Sequence, residues 1–330
     1  MNTSVVICAD AAPRIGTGHI MRCLALAQAA RLRGITVRFA CKIAVPWVRD
    51  RLLKEDIPFT EVPGEVPMTE APADVLARWA EMPAPSWVIF DGYHFGHDCQ
   101  QAVRAAGYKL MVIDDYAHLP EYSCDILLNQ NMGAEKFTYI GDIGQKLLGP
   151  RYVLLRQEFF KARERARRRA FPSIPKKILI TLGGGDFINF LEKIASELCL
   201  PQLKGRKVRV IQGAMSKGRI KTAFAACPAS LKVLPRIDDM PALLLDTDLC
   251  ITAGGSTCWE LCCLGVPFLT VEVAENQHGI VTGLETMSIA NQFTRDEFLK
   301  KLHGQHYKSM INDNMLQNKD FISLIFQHMV

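Results

Sequence analysis

Short apolar runs recur along the chain and alternate with stretches whose apolar positions repeat at helical spacing. In the first half the runs fall at 4–10, 36–42, 87–93, 110–115 and 125–129. In the second half they fall at 177–182, 207–212, 232–234, 249–252 and 267–273. Many are continuous in Val, Ile and Leu, which is the pattern of strands covered on both faces, as in parallel sheets. Stretches 19–32 and 189–198 read as amphipathic helices between them. Strand, helix and strand in repeated succession predict βαβ units. Two such series predict an α/β protein of two Rossmann-like domains, each with an open parallel sheet, and a ligand cleft between them.

The two series break between 150 and 175. Gly149-Pro150 closes the first, and a charged helical segment follows. Phe171-Pro172-Ser173-Ile174-Pro175 then stops that helix, because proline lacks the amide proton and clashes with the preceding turn. The expected organisation is therefore an N-terminal domain over 1–150, a connector over 151–175 and a C-terminal domain over 176–330. The tail beyond about 295 reads as helical. A length of 330 residues fits two domains at roughly 150 residues each.

Composition narrows the class. Hydrophobic residues at 49% and charged residues at 22% are those of a folded globular protein. The net charge of +5 suits an anionic small ligand. Much of it comes from 161–169, which reads as a solvated helix face, and no zinc-finger or RNP-like pattern accompanies it. No nucleic-acid partner is expected. Eleven cysteines without a CxxC pair, behind an N-terminus that reads as a buried strand and not a signal peptide, point to the reducing cytoplasm. Cys258 and Cys262 share helical spacing, but no further ligand completes a tetrahedral set, so they read as small core residues and no metal is expected. No run approaches the ~20 apolar residues of a membrane span. No membrane partner is expected, and a monomer is.

Three strand-to-helix loops carry the candidate chemistry. After the first strand and Asp10, Gly16, Gly18, His19 and Arg22 open a helix whose first amides suit a phosphate or developing negative charge. His19 stands where open α/β sheets bind ligands, beyond the carboxyl ends of the strands. The second loop, with Gly183 and Gly184, reads as a close backbone approach to a ligand. The third has Gly254, Gly255, Ser256 and Thr257 before a helix that a hydroxyl can cap, and Glu260 one turn inside. Asn276 and Gln277 offer donors and acceptors after the next strand. Glu260 reads either as a ribose-binding carboxylate or as a partner of the helix dipole. Neither a GxGxxG nor a Walker sequence is present, so neither NAD nor ATP is expected as a cofactor. Asp10, Asp91, Asp114 and Asp115 gather at strand ends. They read as polar lining or as groups that orient His19, and Asp91 with Asp114 or Asp115 as a glycosidase-like carboxylate pair.

These motifs together resemble a known family. GTGHIMR at 16–22, DDYAH at 114–118, CDILLNQN at 124–131, LGPRYVLLRQEF at 148–159, LGGGD at 182–186 and AGGSTCWELCCLGVPFLTVEVAENQ at 253–277 carry the match. In this order they are similar to the UDP-2,4-diacetamido-2,4,6-trideoxy-β-L-altropyranose hydrolases of bacterial pseudaminic acid biosynthesis, a pathway serving flagellin glycosylation and cell-surface polysaccharide. The resemblance implies a GT-B-like fold, a UDP-sugar substrate and a C-terminal UDP site in which Glu260 matches the ribose-binding acid. It implies His19 as the catalytic base, water as nucleophile, inversion at the anomeric carbon, and no cofactor or metal. Glycine stands in the LGGGD loop where relatives commonly carry Ser or Thr, and the region after 295 has no clear match. Two other readings remain: a UDP-sugar glycosyltransferase of GT-B type, and a non-catalytic nucleotide-sugar sensor that needs the second-domain pocket but not His19.

Overall fold

The computed structural model describes residues 4–62, 86–235, 237–304 and 325–329. The chain forms two compact units, Met1–Gln157 with Asn318–Val330, and Glu158–Gln317. In the first unit the strands are β1 (Ser4–Ala9), β2 (Thr36–Cys41), β3 (Phe59–Glu61), β4 (Trp87–Asp91), β5 (Lys109–Ile113), β6 (Tyr122–Asn129) and β7 (Gly141–Leu148). The helices α1 (Gly18–Arg31), α2 (Pro46–Lys54) and α3 (His97–Ala105) connect them. The sheet order is β3-β2-β1-β4-β5-β6-β7, with every pairing parallel. The order reverses between β1 and β4, so the loops that leave these two strands diverge and open a crevice at their carboxyl ends.

The sheet is buried on both faces. Val5 and Ile7 of β1 join one core with Leu24 and Leu26 of α1, while Val6 and Cys8 join the opposite core with Val88, Phe90 and Val103. Each fully buried Val or Ile is worth roughly 1.5–3 kcal/mol, and the alternation of faces fixes the register.

The second unit repeats the plan. Helix α4 (Gln157–Arg167) leads to β8 (Lys177–Thr181), α5 (Ile188–Glu197), β9 (Lys207–Ile211), α6 (Lys217–Ala223) and β10 (Ser230–Leu234). Then come α7 (Met240–Leu245), β11 (Leu249–Ala253), α8 (Ser256–Leu264), β12 (Phe268–Val271), α9 (His278–Thr286), β13 (Asn291–Gln292) and α10 (Arg295–Leu302). The order β10-β9-β8-β11-β12-β13 puts the reversal between β8 and β11. Helix α8 is buried from Cys258 to Leu264, including Cys258, Cys262 and Cys263, which are free thiols in the core.

Every strand expected from the apolar pattern is present. Three more, β3, β7 and β13, were not visible in it. β7 is a largely exposed edge strand, GDIGQKLL, with no apolar run. It pairs closely with β6: a Cβ at Gly141 would lie 2.0 Å from the Tyr122 carbonyl oxygen, at a φ of +121°.

Two segments depart from the expected domain organisation. The charged helix α4 belongs to the second unit, where Cys263 Sγ donates to the Phe159 carbonyl oxygen and Arg163 is buried instead of lying on a solvated face. The end of the chain returns to the first unit. Ile325, Phe326 and Met329 enter its core, Trp87 Nε1 donates to the Met329 carbonyl oxygen at 2.9 Å, and the Arg33 guanidinium lies 5.4 Å over the Phe326 ring. The helical tail expected beyond 295 is α10, and 305–324 lie outside the described residues.

Candidate active site

The reversal point of the first unit gathers an ionic cluster. β1 runs into Asp10, and the turn that follows is closed by a two-way backbone bond between Ala12 and Gly16, which takes a φ of +78°. Helix α1 then starts at Gly18, where a Cβ would meet nothing within 4 Å, so the backbone there is open to approach. His19 follows in its first turn.

His19 Nδ1 lies 2.6 Å from Asp91 Oδ1, at the end of β4. The Arg22 guanidinium, one turn on, grips the same carboxylate through Nε at 2.7 Å and Nη2 at 2.6 Å. It grips Asp115 as well, through Nη1 at 2.6 Å and Nη2 at 3.0 Å. Four of the five N–H groups of Arg22 are thereby spent on carboxylates, and the residue is buried. Arg22 was expected to face the ligand; instead it neutralises the two aspartates that would otherwise repel each other.

Burial pushes both carboxyls up, but Arg22 outweighs it, with help from His19, and holds Asp91 and Asp115 below the usual carboxylate range. Both are ionised at neutral pH. A glycosidase-like pair with one protonated acid is therefore not what Asp91 and Asp115 form. An ionised Asp91 also fixes the histidine tautomer: Nδ1 carries the proton and donates it, which leaves the Nε2 lone pair as the basic atom. The His19 side chain keeps 14% of its surface exposed.

Asp10 bonds to two neighbouring loops. Its Oδ1 accepts from the Lys42 amide at 2.8 Å, and its Oδ2 lies 3.3 Å from His94 Nε2. Asp114 is likewise structural. It accepts from the amides of Tyr116 and Ala117, from His118 Nδ1 and from the hydroxyls of Tyr122 and Tyr139. Four residues reach the cluster without having been singled out in the sequence. Tyr93 donates its hydroxyl to Asp115 Oδ2 at 2.6 Å and sets its ring edge-on to His19, with centroids 5.1 Å apart. Asn131 Nδ2 donates to Asp115 Oδ1 at 2.8 Å, and His94 and His118 complete the ring of polar groups. The only signal for them was position: each lies two to five residues past a strand end, and two of them inside the DDYAH and CDILLNQN motifs.

The reversal point of the second unit carries the glycine loops. Gly183 takes a φ of +91° directly after β8, and its carbonyl oxygen lies 2.7 Å from where a Cβ of Gly213 would stand, so two turns pack backbone to backbone. Gly184 lies beside it in the same loop. After β11, the Gly254 amide already donates to the Val271 carbonyl oxygen and to Gln277 Oε1, and the Gly255 amide to the Ala253 carbonyl oxygen. The donors this loop can offer are instead the first-turn amides of α8, at Ser256 and Thr257, which lack intrahelical acceptors. Neither hydroxyl caps that helix, contrary to expectation: Gly255 is the N-cap and no side chain caps it. Glu260 is buried one turn inside. Gln277 Oε1 also accepts from the Val273 amide at 3.1 Å, so it braces the loop and has only its NH₂ left for a ligand. Asn276 sits beside it in the single turn Glu275–Gln277.

A cavity of about 430 Å³ lies elsewhere in the first unit, at the amino ends of β4 and β5, lined by Trp87, Lys109 and Met329 among others. It contains none of these residues. Among the described residues no helix is long and apolar enough to cross a membrane.

Two Rossmann-like units with loops of this kind at both reversal points define the GT-B fold of nucleotide-sugar glycosyltransferases. Residues 177–310 match the glycosyltransferase family 28 C-terminal domain. The structure of MurG from Acinetobacter baumannii superposes with a TM-score of 0.57 at 18% identity, covering 99% of this chain and 94% of that one. In sequence the chain is similar to the UDP-2,4-diacetamido-2,4,6-trideoxy-beta-L-altropyranose hydrolase of Campylobacter jejuni, with 26% identity over 289 residues, 85% of this chain and 95% of that protein. It is also 26% identical over 312 residues to an uncharacterized protein of Methanocaldococcus jannaschii, covering 92% of this chain but only 59% of the archaeal protein's length.

Proposed function

We propose that the chain is a nucleotide-sugar hydrolase that cleaves UDP-2,4-diacetamido-2,4,6-trideoxy-β-L-altrose to UDP and the free sugar with inversion. The observation that carries this reading is the bond between His19 Nδ1 and the ionised Asp91. It makes His19 Nε2 a base at the sheet edge where such folds hold ligands. The similarity to the Campylobacter jejuni hydrolase over most of both chains supports the choice of reaction and sugar.

The chemistry balances simply. A water oxygen attacks the anomeric carbon on the face opposite UDP while the bond from that carbon to the diphosphate oxygen breaks. The electron pair leaves with UDP, and the water proton passes to His19 Nε2. Asp91 accepts the Nδ1 proton in its hydrogen bond and stabilises the imidazolium that forms. General-base catalysis of this kind is worth about 10²–10⁴-fold. Charge building on the leaving diphosphate needs donors, and the first-turn amides at Ser256 and Thr257, with the Gly183–Gly184 loop, are the groups proposed to supply them. Each well-aimed donor is worth roughly 3–4 kcal/mol. Glu260 is proposed to accept from the ribose hydroxyls. UDP leaves readily, so no strong acid is required, which fits the ionised state of Asp91 and Asp115.

A transferase reading shares the family 28 match and the MurG likeness. Incubation with the nucleotide sugar in ¹⁸O-water, with no acceptor, separates the two. The hydrolase reading expects stoichiometric UDP release at enzymatic rates, with the label in the sugar and the opposite anomer first seen by proton NMR. Label in UDP, or release only when an alcohol is added, overturns it. An absence of turnover with UDP-sugar still bound would favour the sensor reading.

A further inference from the structure

Beside the His19–Asp91 pair stands a second imidazole held in the same way. His118 Nδ1 is hydrogen-bonded to Asp114 Oδ2, and the side chain is only 8% exposed. Its ring sits edge-on to Tyr93, with centroids 5.0 Å apart, as His19 does at 5.1 Å. The Tyr93 ring thus touches two imidazoles, each fixed through Nδ1 to its own buried carboxylate.

Two observations mark His118 as more than packing. Among the described residues its Nε2 is buried with no hydrogen-bond partner. Such an atom costs about 1–3 kcal/mol when left unsatisfied, so a native protein that keeps one calls for a reason. The residue before it, Ala117, has a φ of +55°, a left-handed conformation that an alanine adopts at a cost of order 1 kcal/mol or more. The loop is held in that shape by Asp114, which accepts from the Tyr116 and Ala117 amides at 2.8 and 2.6 Å. Strain and an unpaired polar atom are therefore both spent on setting one imidazole next to the tyrosine that borders His19.

We infer that His118 is a specificity-determining residue, whose Nε2 accepts a hydrogen bond from an N–H or O–H group of the sugar. The inference rests on the reaction proposed above. In the neutral ring whose Nδ1 donates to Asp114, Nε2 offers a lone pair, so its ligand is a donor: a hydroxyl or an acylamino N–H. The inference requires a substituent of the pyranose held at His19 to reach past the Tyr93 ring, which borders both imidazoles. The sugar displaces no cation here. It completes the one bond that His118 lacks.

Two substitutions isolate the atom. His118→Asn keeps a donor where Nδ1 stands, and with it the bond to Asp114, but removes Nε2. His118→Gln carries a polar group to the Nε2 position and gives up the bond to Asp114. The expected result is that His118→Asn melts with the parent and raises KM about tenfold with kcat within about threefold, the value of one hydrogen bond, while His118→Gln keeps KM near the parent's. In ¹⁵N-histidine spectra of the full chain, the His118 Nε2 resonance moves when UDP and 2,4-diacetamido-2,4,6-trideoxy-L-altrose are added together and not with UDP alone. Equal losses in both variants, or a parent that turns over while the His118 resonance stays still, overturn the inference and leave the reaction standing. A parent that hydrolyses no UDP-sugar overturns the reaction and this inference with it.

Discussion

Asp91 carries two duties that a single substitution separates. Asp91→Asn keeps the shape but removes the charge that sets the His19 tautomer and stabilises its protonated form. We expect kcat to fall about 10²–10⁴-fold with KM little changed, measured by UDP release. The same change leaves Arg22 buried against one carboxylate instead of two. Breaking a buried pair from one side costs about 3 kcal/mol or more, so the urea midpoint should fall too. The pH dependence has a definite sign. Asp91 and Asp115 titrate below the usual carboxylate range in the folded protein, so their stabilisation is present above about pH 4 and is lost as pH falls below it. Urea titrations at pH 6 and pH 3 should show a larger loss for the parent than for Asp91→Asn. A Tyr93→Phe substitution removes the bond to Asp115 and leaves the ring edge against His19. Its kcat should drop less than that of Asp91→Asn.

At the level of elements, what the sequence disclosed follows the burial of each segment. β1, β4, β8 and β11 are covered on both faces and read as apolar runs. β7 lies at a sheet edge, keeps polar residues outward, and is specified by glycines that let it approach β6, a signal that no apolar pattern contains. The glycine loops and His19 were legible because a strand-to-helix turn rich in glycine has few packing uses. The role of Arg22 was not, since its partners Asp91 and Asp115 lie 69 and 93 residues away in sequence. Asp114 and Asp115 could not be told apart from their adjacency, yet one shapes a loop and the other pairs with Arg22. Helix α10 offers a test of burial by itself. Lys301 is buried, and burial outweighs Glu297 to bring its pKa down to about 8. At pH 7 the folded protein therefore bears a penalty for the charge, which lifts as pH rises from about 8 towards 10.5. Lys301→Met should raise Tm at pH 7, and its advantage should shrink as pH approaches 10.

Across the whole molecule, the free thiols are the common feature of both units. Burial pushes Cys8, Cys23, Cys41, Cys250 and Cys258 well above the ordinary thiol value, and Cys262 up to about 12. A group whose pKa is raised by folding stabilises below its unfolded pKa and loses that contribution as pH rises. Stability under reducing conditions should hold to about pH 8.5 and decline above it, as the unfolded chain ionises its thiols and the folded one does not. The two units also divide the proposed work. In the proposed reaction one would supply the base, His19, and the other the amide donors and buried Glu260 for the nucleotide.

The central claim is that His19 takes the proton from water while the second unit holds UDP without it. His19→Asn keeps a donor towards Asp91 and removes only the Nε2 base. Isothermal titration with UDP, beside single-turnover hydrolysis of the UDP-sugar by the same protein, tests this directly. The account predicts UDP affinity within about threefold of the parent and hydrolysis slowed about 10²-fold or more. Hydrolysis at the parental rate, or a loss of UDP binding that matches the loss of rate, would contradict it.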